Sequence, residues 1–236
     1  MHDVLSIPIG FLDVIQMFPL DFQEFISAIG VSKKIINYLS DCFKKKQQID
    51  IDIHKQMIEL FNTYLIIGGM PKAVSNFIEN NDIYKVNLIL NEIDYGYKQD
   101  IAKYDKQNRM LIQDIYDLIP NELNNQNKRF ILKDLNTKAK FYKYETSFIW
   151  LKNNAMGLFV HNVDNPIFPL LASKERTLFK LFLPDVELLT YKLFNGNQIQ
   201  ILNNDLTLNF GAIYEAVVAQ ELKSHGFDFI ITTIKK

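Results

Sequence analysis

The chain has 236 residues, of which 48% are hydrophobic, and its 26 basic and 27 acidic residues leave a net charge of −1. A chain of this length can bury a substantial core and has room for more than one small domain. The charge balance argues against a globally basic nucleic-acid binder, so any nucleic-acid contact has to come from a local patch.

The N-terminus and the cysteine content predict an intracellular protein. The single cysteine, Cys42, excludes an intrachain disulfide and a cysteine-based zinc site. The N-terminal sequence MHDVLSIPIG lacks the basic start and the long apolar run of a signal peptide, and the chain contains no run of about 18 apolar residues that could span a bilayer. We therefore expect a cytoplasmic protein with no membrane contact.

Helices are predicted through the first half of the chain. Asp21 and Glu24 have the spacing of a capping box, which predicts a helix that starts at this point. From residue 31 to Pro120 the apolar residues recur mostly at helical spacing, as they do over 57–65.

A glycine pair interrupts this helical pattern. Gly68 and Gly69 punctuate the run, and Pro71 fits the first turn of the next helix because its missing amide has no partner to lose there.

The pattern changes after Pro120. Two short helical runs precede a strand-like segment at 159–163 and a turn at 164–166, and helix, helix, hairpin is the order of a winged helix. A second strand-like segment, broken at Pro184, is followed by a helix, and a further helix follows at 211–222. These elements predict a mainly helical α+β protein.

Six segments of the chain together resemble a known family. They are FPLDFQEF (18–25), GGMPKAV (68–74), YGYKQDIAKY (95–104), KFYKYETSFIWLKNNAMGL (140–158), FKLFLPDVELL (179–189) and GAIYEAVVAQEL (211–222). In this order they resemble bacterial and archaeal AAA-type ATPases whose C-terminal region of unknown function is restriction-nuclease-like, and the resemblance covers nearly the whole chain.

The resemblance implies three regions. These are the end of an ATPase core with a helical lid-like region (1–108), a winged helix (109–171) and the incomplete start of a nuclease-like α/β domain (172–236). In the resembled family a nucleotide-binding core precedes the first segment and a nuclease-like sheet follows the last. The chain is therefore expected to be a fragment, or a shortened descendant, of a longer protein.

The resembled family uses ATP and Mg²⁺, but the sequence has no P-loop pattern G-x-x-x-x-G-K-[ST]. We therefore expect no cofactor, no metal site and no ATP hydrolysis for this chain alone. The family's ATPase activity leaves its status as an enzyme uncertain.

The resemblance also suggests two isolated site residues. Lys72 matches the basic residue of a Gly-x-Pro-basic turn that in AAA proteins can point to the γ-phosphate, although an exposed lysine at a helix start is the simpler interpretation. Glu215 matches a helix glutamate that supports a catalytic metal in restriction-like nucleases. One carboxylate does not hold Mg²⁺, so a solvent-facing or capping role is favoured for it.

A local basic segment is the best candidate for a nucleic-acid contact. Between Gln126 and Lys152 there are seven basic residues and two acidic ones. We predict that the helix around residues 142–153 enters a groove. The predicted contacts are Lys138, Lys140, Tyr142 and Lys143. The nearby apolar residues Phe141, Phe148, Ile149, Trp150 and Leu151 are assigned to the core and to helix packing rather than to base stacking. Contact with a protein partner is the alternative.

The remaining polar candidates give no catalytic pattern. The four histidines are scattered singly, and the carboxylates Asp185 and Glu187 are two residues apart, which does not place them on one helix face. Asp185 is predicted to cap the helix that follows it.

The C-terminal segment 227–234 has the pattern of an apolar strand for which the rest of its sheet is missing. This predicts self-association, or a partner, through residues 211–236.

The leading functional hypothesis is an accessory segment of an AAA-family ATPase that contacts DNA through a winged helix. The alternatives are a stand-alone winged-helix module that binds DNA or protein, and an inactive truncated product.

Overall fold

The computed structural model describes residues 15–104, 106–163, 173–194, 199–202, 210–227 and 230–231. It shows a mainly helical α+β protein with one small antiparallel sheet. The elements are α1 (Phe22–Ala28), α2 (Lys33–Lys45), α3 (Ile51–Ile67), α4 (Pro71–Asn80), α5 (Ile83–Ala102), α6 (Lys106–Asn124), α7 (Leu132–Leu135), a 3₁₀ turn (Phe141–Lys143), α8 (Glu145–Asn153), β1 (Leu158–Val163), β2 (Lys174–Phe182), α9 (Val186–Phe194), α10 (Ile199–Leu202) and α11 (Gly211–Ser224).

Local sequence signals set several helix ends. The capping box at α1 is confirmed, since Asp21 Oδ1 accepts the Glu24 amide at 2.7 Å and Glu24 Oε2 accepts the Asp21 amide at 3.0 Å. Helix α3 ends at Gly68, whose φ of +68° favours glycine, and α4 begins at Pro71 as predicted.

The predicted change of pattern at Pro120 does not end a helix. Helix α6 continues to Asn124, with Ile119 and Leu123 both fully buried. A proline inside a helix removes one backbone hydrogen bond and crowds the carbonyl four residues before it, and here the burial of Ile119 and Leu123 offsets that cost.

One hydrophobic cluster joins all three of the predicted regions. It contains Phe25 from the first region, Phe148 from the second and Leu188 from the third. Helix α9 packs against α3, α5, α6 and α11, and α3 also packs against α1, α4 and α10. The predicted boundary at 108 lies in the first turn of α6, and the described parts of the three regions share this cluster.

The two strands form a hairpin across the other predicted boundary. Strand β1 pairs antiparallel with β2, with Leu158 opposite Phe182 and His161 opposite Phe179. A boundary at 171 would divide this hairpin. The predicted turn at 164–166 lies outside the described residues. On the far side of β2, the Phe130 amide donates to the Phe179 carbonyl at 3.0 Å, so the segment that precedes α7 extends the sheet by one contact.

The C-terminal segment reaches the free edge of β1. The Ile231 amide donates to the His161 carbonyl at 3.0 Å, and the Val163 amide donates to the Ile231 carbonyl at 2.8 Å, in parallel pairing. The expectation that this segment lacks a sheet is therefore wrong at Ile231. Phe227 is exposed, and Phe229 and Ile234 lie outside the described residues. Self-association through residues 211–236 stays a prediction.

Within the part of the chain that the structure describes, no helix is both long enough and apolar enough to cross a membrane.

Candidate functional site

The four predicted nucleic-acid contacts lie together on the surface. Lys138 and Lys140 precede the 3₁₀ turn, and Tyr142 and Lys143 belong to it, directly before α8. All four side chains are exposed. No ion pair between described residues involves any of these three lysines, so their charges face solvent.

A cluster of aromatic rings supports this surface from below. Phe148 of α8 lies 5.2 Å from Phe179 and 5.4 Å from Phe130, measured between ring centroids. The predicted core assignment is confirmed for Phe148 and Leu151, which are buried, but it is wrong for Ile149, whose side chain is 50% exposed. Ile149 faces the gap between α8 and the hairpin, where helix packing does not cover it.

A cleft of about 210 Å³ fills that gap, and we call it the hairpin cleft. Helix α8 contributes residues at positions i, i+3, i+4 and i+7, which share one face, and the hairpin contributes the opposite wall. The lining residues are Phe141, Glu145, Phe148, Ile149, Lys152, Phe159, His161, Lys174, Arg176 and Phe179. Among the described residues, the cleft therefore combines an aromatic floor with basic side chains and the carboxylate of Glu145.

His161 lies in the wall of the hairpin cleft, and its surroundings favour the neutral form of its ring. Its burial, together with the positive charges of Lys174 and Lys152, lowers the pKa of the imidazole. Its Nδ1 lies 3.3 Å from the Glu175 carbonyl oxygen. Because a carbonyl only accepts hydrogen bonds, Nδ1 carries the hydrogen in this contact, which leaves Nε2 as an acceptor.

Sequence reasoning treated His161 as an isolated histidine and missed Lys174 and Arg176. The face of α8 was visible as a local pattern in the sequence. The strand residues join it only through the pairing of β1 with β2, which no local spacing could reveal.

Glu215 is held by two lysines. Its Oε1 lies 2.9 Å from Lys128 Nζ, and its Oε2 lies 2.5 Å from Lys180 Nζ. Burial acts to raise the pKa of this carboxyl, but the two lysines outweigh it and keep the pKa below its usual value. Both oxygens are thus engaged in joining α11 to β2 and to the segment after α6. The catalytic role of Glu215 stays a prediction, and Lys128 does not belong to the exposed basic surface.

Lys72 lies in the first turn of α4, as predicted, and its Nζ is 2.6 Å from Glu92 Oε2 of α5. Both side chains are well exposed. An exposed ion pair of this kind contributes little to stability. The nucleotide-sensing role of Lys72 stays a prediction.

A pair of buried carboxylates is the main polar feature that the sequence pattern did not indicate. Asp185 and Glu187 are both fully buried. Asp185 Oδ2 accepts the Gly69 amide at 2.9 Å, and Oδ1 lies 3.5 Å from the Glu187 amide, which confirms the predicted cap of α9. Asp185 stands before the helix and not on it, so a separation of two residues does not keep the carboxylates apart, and both side chains reach the Gly68–Gly69 turn.

Burial raises the pKa of both carboxyl groups. The pKa of Asp185 rises to about 7 because burial outweighs the amides and the Gln220 side chain that favour its charged form. Burial, and then the charge of Asp185, raise the pKa of Glu187 well above its usual range. The Met70 amide opposes this shift, but neither oxygen of Glu187 accepts a hydrogen bond of normal geometry from the residues that the structure describes.

Tyr64 and Gln220 extend this group across three helices. The Tyr64 hydroxyl donates to the Leu20 carbonyl at 2.7 Å and accepts from Gln220 Nε2 at 2.9 Å. Gln220 Oε1 in turn accepts the Val186 amide at 2.9 Å. We call this set the buried polar seam, which consists of Tyr64, Gly68, Gly69, Asp185, Glu187 and Gln220.

Three side chains of a separate group could present ligand atoms to a metal ion. Asp21, Glu221 and His225 each place one such atom within 4.8 Å of the others. His225 Nε2 lies 3.4 Å from Asp21 Oδ2, and Glu221 Oε1 accepts the Phe22 amide at 2.8 Å. A hydrogen bond to the Glu221 carbonyl and the charge of Asp21 raise the pKa of His225. The ion pair and the hydrogen bond to the Phe22 amide therefore explain why these three side chains lie close together.

The fold and the site define a mainly helical α+β protein with a basic, aromatic cleft beside its hairpin. The chain belongs to the DUF8612 family, a domain of unknown function, whose model matches residues 58–198. This range contains the hairpin cleft and most of the buried polar seam, whereas α1 and α11 lie outside it. The comparisons with curated proteins and with solved structures found no match.

Proposed function

We propose that the chain contacts duplex nucleic acid through a winged-helix-like unit made of α6, α7, α8 and the β1–β2 hairpin. The observation that carries this proposal is the group of exposed lysines, Lys138, Lys140 and Lys143, which have no carboxylate partner among the described residues. They lie at the entrance to α8, the helix that would approach a groove.

The order of the elements supports the same proposal. Helices α6, α7 and α8 precede the hairpin, which is the element order of a winged helix, and the hydrogen bond from the Phe130 amide to the Phe179 carbonyl ties the segment after α6 to the hairpin. In the wider hypothesis this unit belongs to an accessory segment of an AAA-type ATPase. In such an ATPase, a separate core that carries the P-loop would hydrolyse ATP, and this segment would supply the contact with DNA.

The proposed contact is with phosphates, because lysine ammonium groups position a protein on the backbone without selecting bases. Each phosphate neutralised by a lysine releases counterions, so affinity falls as salt rises. The expected binding is therefore weak, salt-dependent and similar for unrelated duplex sequences.

The test is fluorescence anisotropy with two unrelated duplexes over a salt series of about 50–200 mM. Replacing Lys138, Lys140 and Lys143 together with Ala should lower the salt slope by about three. The matched control replaces Lys33, Lys34 and Lys44 of α2, which are also exposed, and should keep the slope. Thermal melting should be unchanged in both variants.

An unchanged slope in the first triple variant would overturn duplex contact through this surface. It would favour the alternative in which the same exposed residues contact a protein partner.

A further inference from the structure

We propose that the hairpin cleft binds one unstacked nucleotide, with the base against its aromatic floor and the phosphate on its cationic rim. This inference deepens the proposed nucleic-acid contact and rests on it. It assigns a separate role to residues outside the exposed lysine group.

The size and floor of the cleft suit a single ring system. A volume of about 210 Å³ lies below the 300–1,000 Å³ typical of pockets for drug-sized ligands. Phe148 and Phe179 are buried and form the floor, while Phe159 and Phe141 are partly exposed at its sides. The partly exposed rings of Phe159 and Phe141 offer surface on which a base could stack, and such stacking tolerates any base sequence.

The rim of the cleft supplies charge for a phosphate. Lys152 of α8 and Arg176 of β2 are exposed, and no ion pair between described residues engages either of them. Among the described residues, Lys174 and Glu145 also line the cleft, and the proposal relies on the charges of Lys152 and Arg176. Arginine binds phosphate through paired N–H groups, whereas a purely apolar ligand would gain nothing from this rim.

His161 adds a neutral polar group between the floor and the rim. Its ring lies 5.5 Å from Phe179, measured between centroids, and its Nε2 is available as an acceptor. A neutral acceptor beside the rings suits an N–H of a base, while the phosphate remains with the fixed cations. A base stacked inside a duplex cannot enter such a cleft, so the ligand is a free nucleotide or a nucleotide within a single strand.

The test compares five probes by anisotropy or competition. They are an oligothymidylate, an abasic strand of the same length and charge, thymidine monophosphate, inorganic phosphate and a blunt duplex. We expect the oligothymidylate to bind about 5- to 100-fold more tightly than the abasic strand, because each stacked base adds free energy that phosphates do not. Competition by the monophosphate would identify a free nucleotide as the source, and binding of the strand alone would identify single-stranded nucleic acid.

Substitutions separate the floor from the rim. Phe159→Leu should remove the preference for the oligothymidylate over the abasic strand, and Phe141→Leu provides the same test if the first variant is unstable. Arg176→Gln and Lys152→Gln should weaken binding of both strands. Lys34→Gln on α2 is the control for Lys152→Gln. It should change neither the binding of the oligothymidylate nor the binding of the abasic strand.

Equal binding of the oligothymidylate and the abasic strand would overturn the cleft proposal. So would a preference for the oligothymidylate that survives both the Phe159 and the Phe141 substitutions. Duplex binding that depends on Lys138, Lys140 and Lys143 would persist in either case, so the failure of this inference is distinguishable from the failure of the proposed function.

Discussion

The buried polar seam and the hairpin cleft place charged groups in opposite ways. In the seam, the Asp185 carboxylate is fully buried and is bonded to the Gly69 amide from a distant part of the chain. In the cleft, Lys152 and Arg176 are exposed beside aromatic rings. Buried polar groups with partners fix which elements meet, whereas exposed cations beside apolar rings are available to a ligand.

The two regions should therefore respond differently to substitution. Changes in the seam should affect folding because a buried group that loses its partner carries its full desolvation penalty. Changes at the rim of the cleft should affect ligand affinity and leave stability nearly constant.

The largest effect is expected from Gly68→Ala. The φ of Gly68 is +68°, and an added Cβ would overlap the buried Glu187 carboxylate. Backbone strain and steric overlap together should lower the free energy of unfolding by about 3 kcal/mol or more, as measured by urea denaturation.

Gly96→Ala is the matched control for that substitution. Gly96 lies within α5, and a Cβ there would meet no atom within 4 Å. This variant should gain about 0.5–1 kcal/mol from helix propensity. A Gly68→Ala variant as stable as the wild type would show that the seam tolerates repacking and would remove the contrast with the cleft.

Local features of the fold were predictable from the sequence, and non-local ones were not. The capping box at Asp21, the start of α4 at Pro71 and the cap at Asp185 each depend on residues a few positions apart. The bond between Gly69 and Asp185 joins residues 116 positions apart. No spacing rule could pair them.

The same limit applied to the site. The four exposed residues before α8 lie close together in the sequence, within 138–143. Their basic and aromatic character could therefore be predicted from the sequence. The wall of the cleft that contains His161 and Arg176 depends on strand pairing. The lysine partners of Glu215 and the pairing of Ile231 with β1 are likewise tertiary contacts.

The second effect concerns the pH dependence of stability. In the folded protein the pKa of Asp185 is about 7, above the unfolded value of 3.8. Between these two pH values the folded state therefore binds more protons than the unfolded state. The contribution of Asp185 to the free energy of unfolding is fully present below about pH 4 and is lost as the pH rises through 7. Asp185 alone should lower the free energy of unfolding by about 2–3 kcal/mol between pH 5 and pH 8.

Asp185→Asn tests this because asparagine keeps an acceptor oxygen for the cap and does not titrate. Urea unfolding at several pH values should show a flatter dependence for this variant. Burial raises the pKa of Glu122 to about 7 and the pKa of Glu187 well above its usual range, so both residues contribute slopes of the same sign in both proteins. The exposed Glu79→Gln is the control. A slope equal to that of the wild type would mean that Asp185 does not titrate in this range.

The smallest of the three effects is expected from Tyr64→Phe, which tests whether the seam depends on its hydrogen bonds or on packing alone. The change keeps the fully buried ring but removes the hydroxyl that bonds Leu20 and Gln220. Because the Leu20 carbonyl and the Gln220 amide would each lose a partner, the free energy of unfolding should fall by about 1–3 kcal/mol. Tyr95→Phe, where the ring is 63% exposed, should change it by less than about 0.5 kcal/mol. If urea denaturation gave the same free energy of unfolding for both variants, apolar contacts alone would stabilise the seam. The polar groups of the seam would then differ from those of the cleft only in their burial.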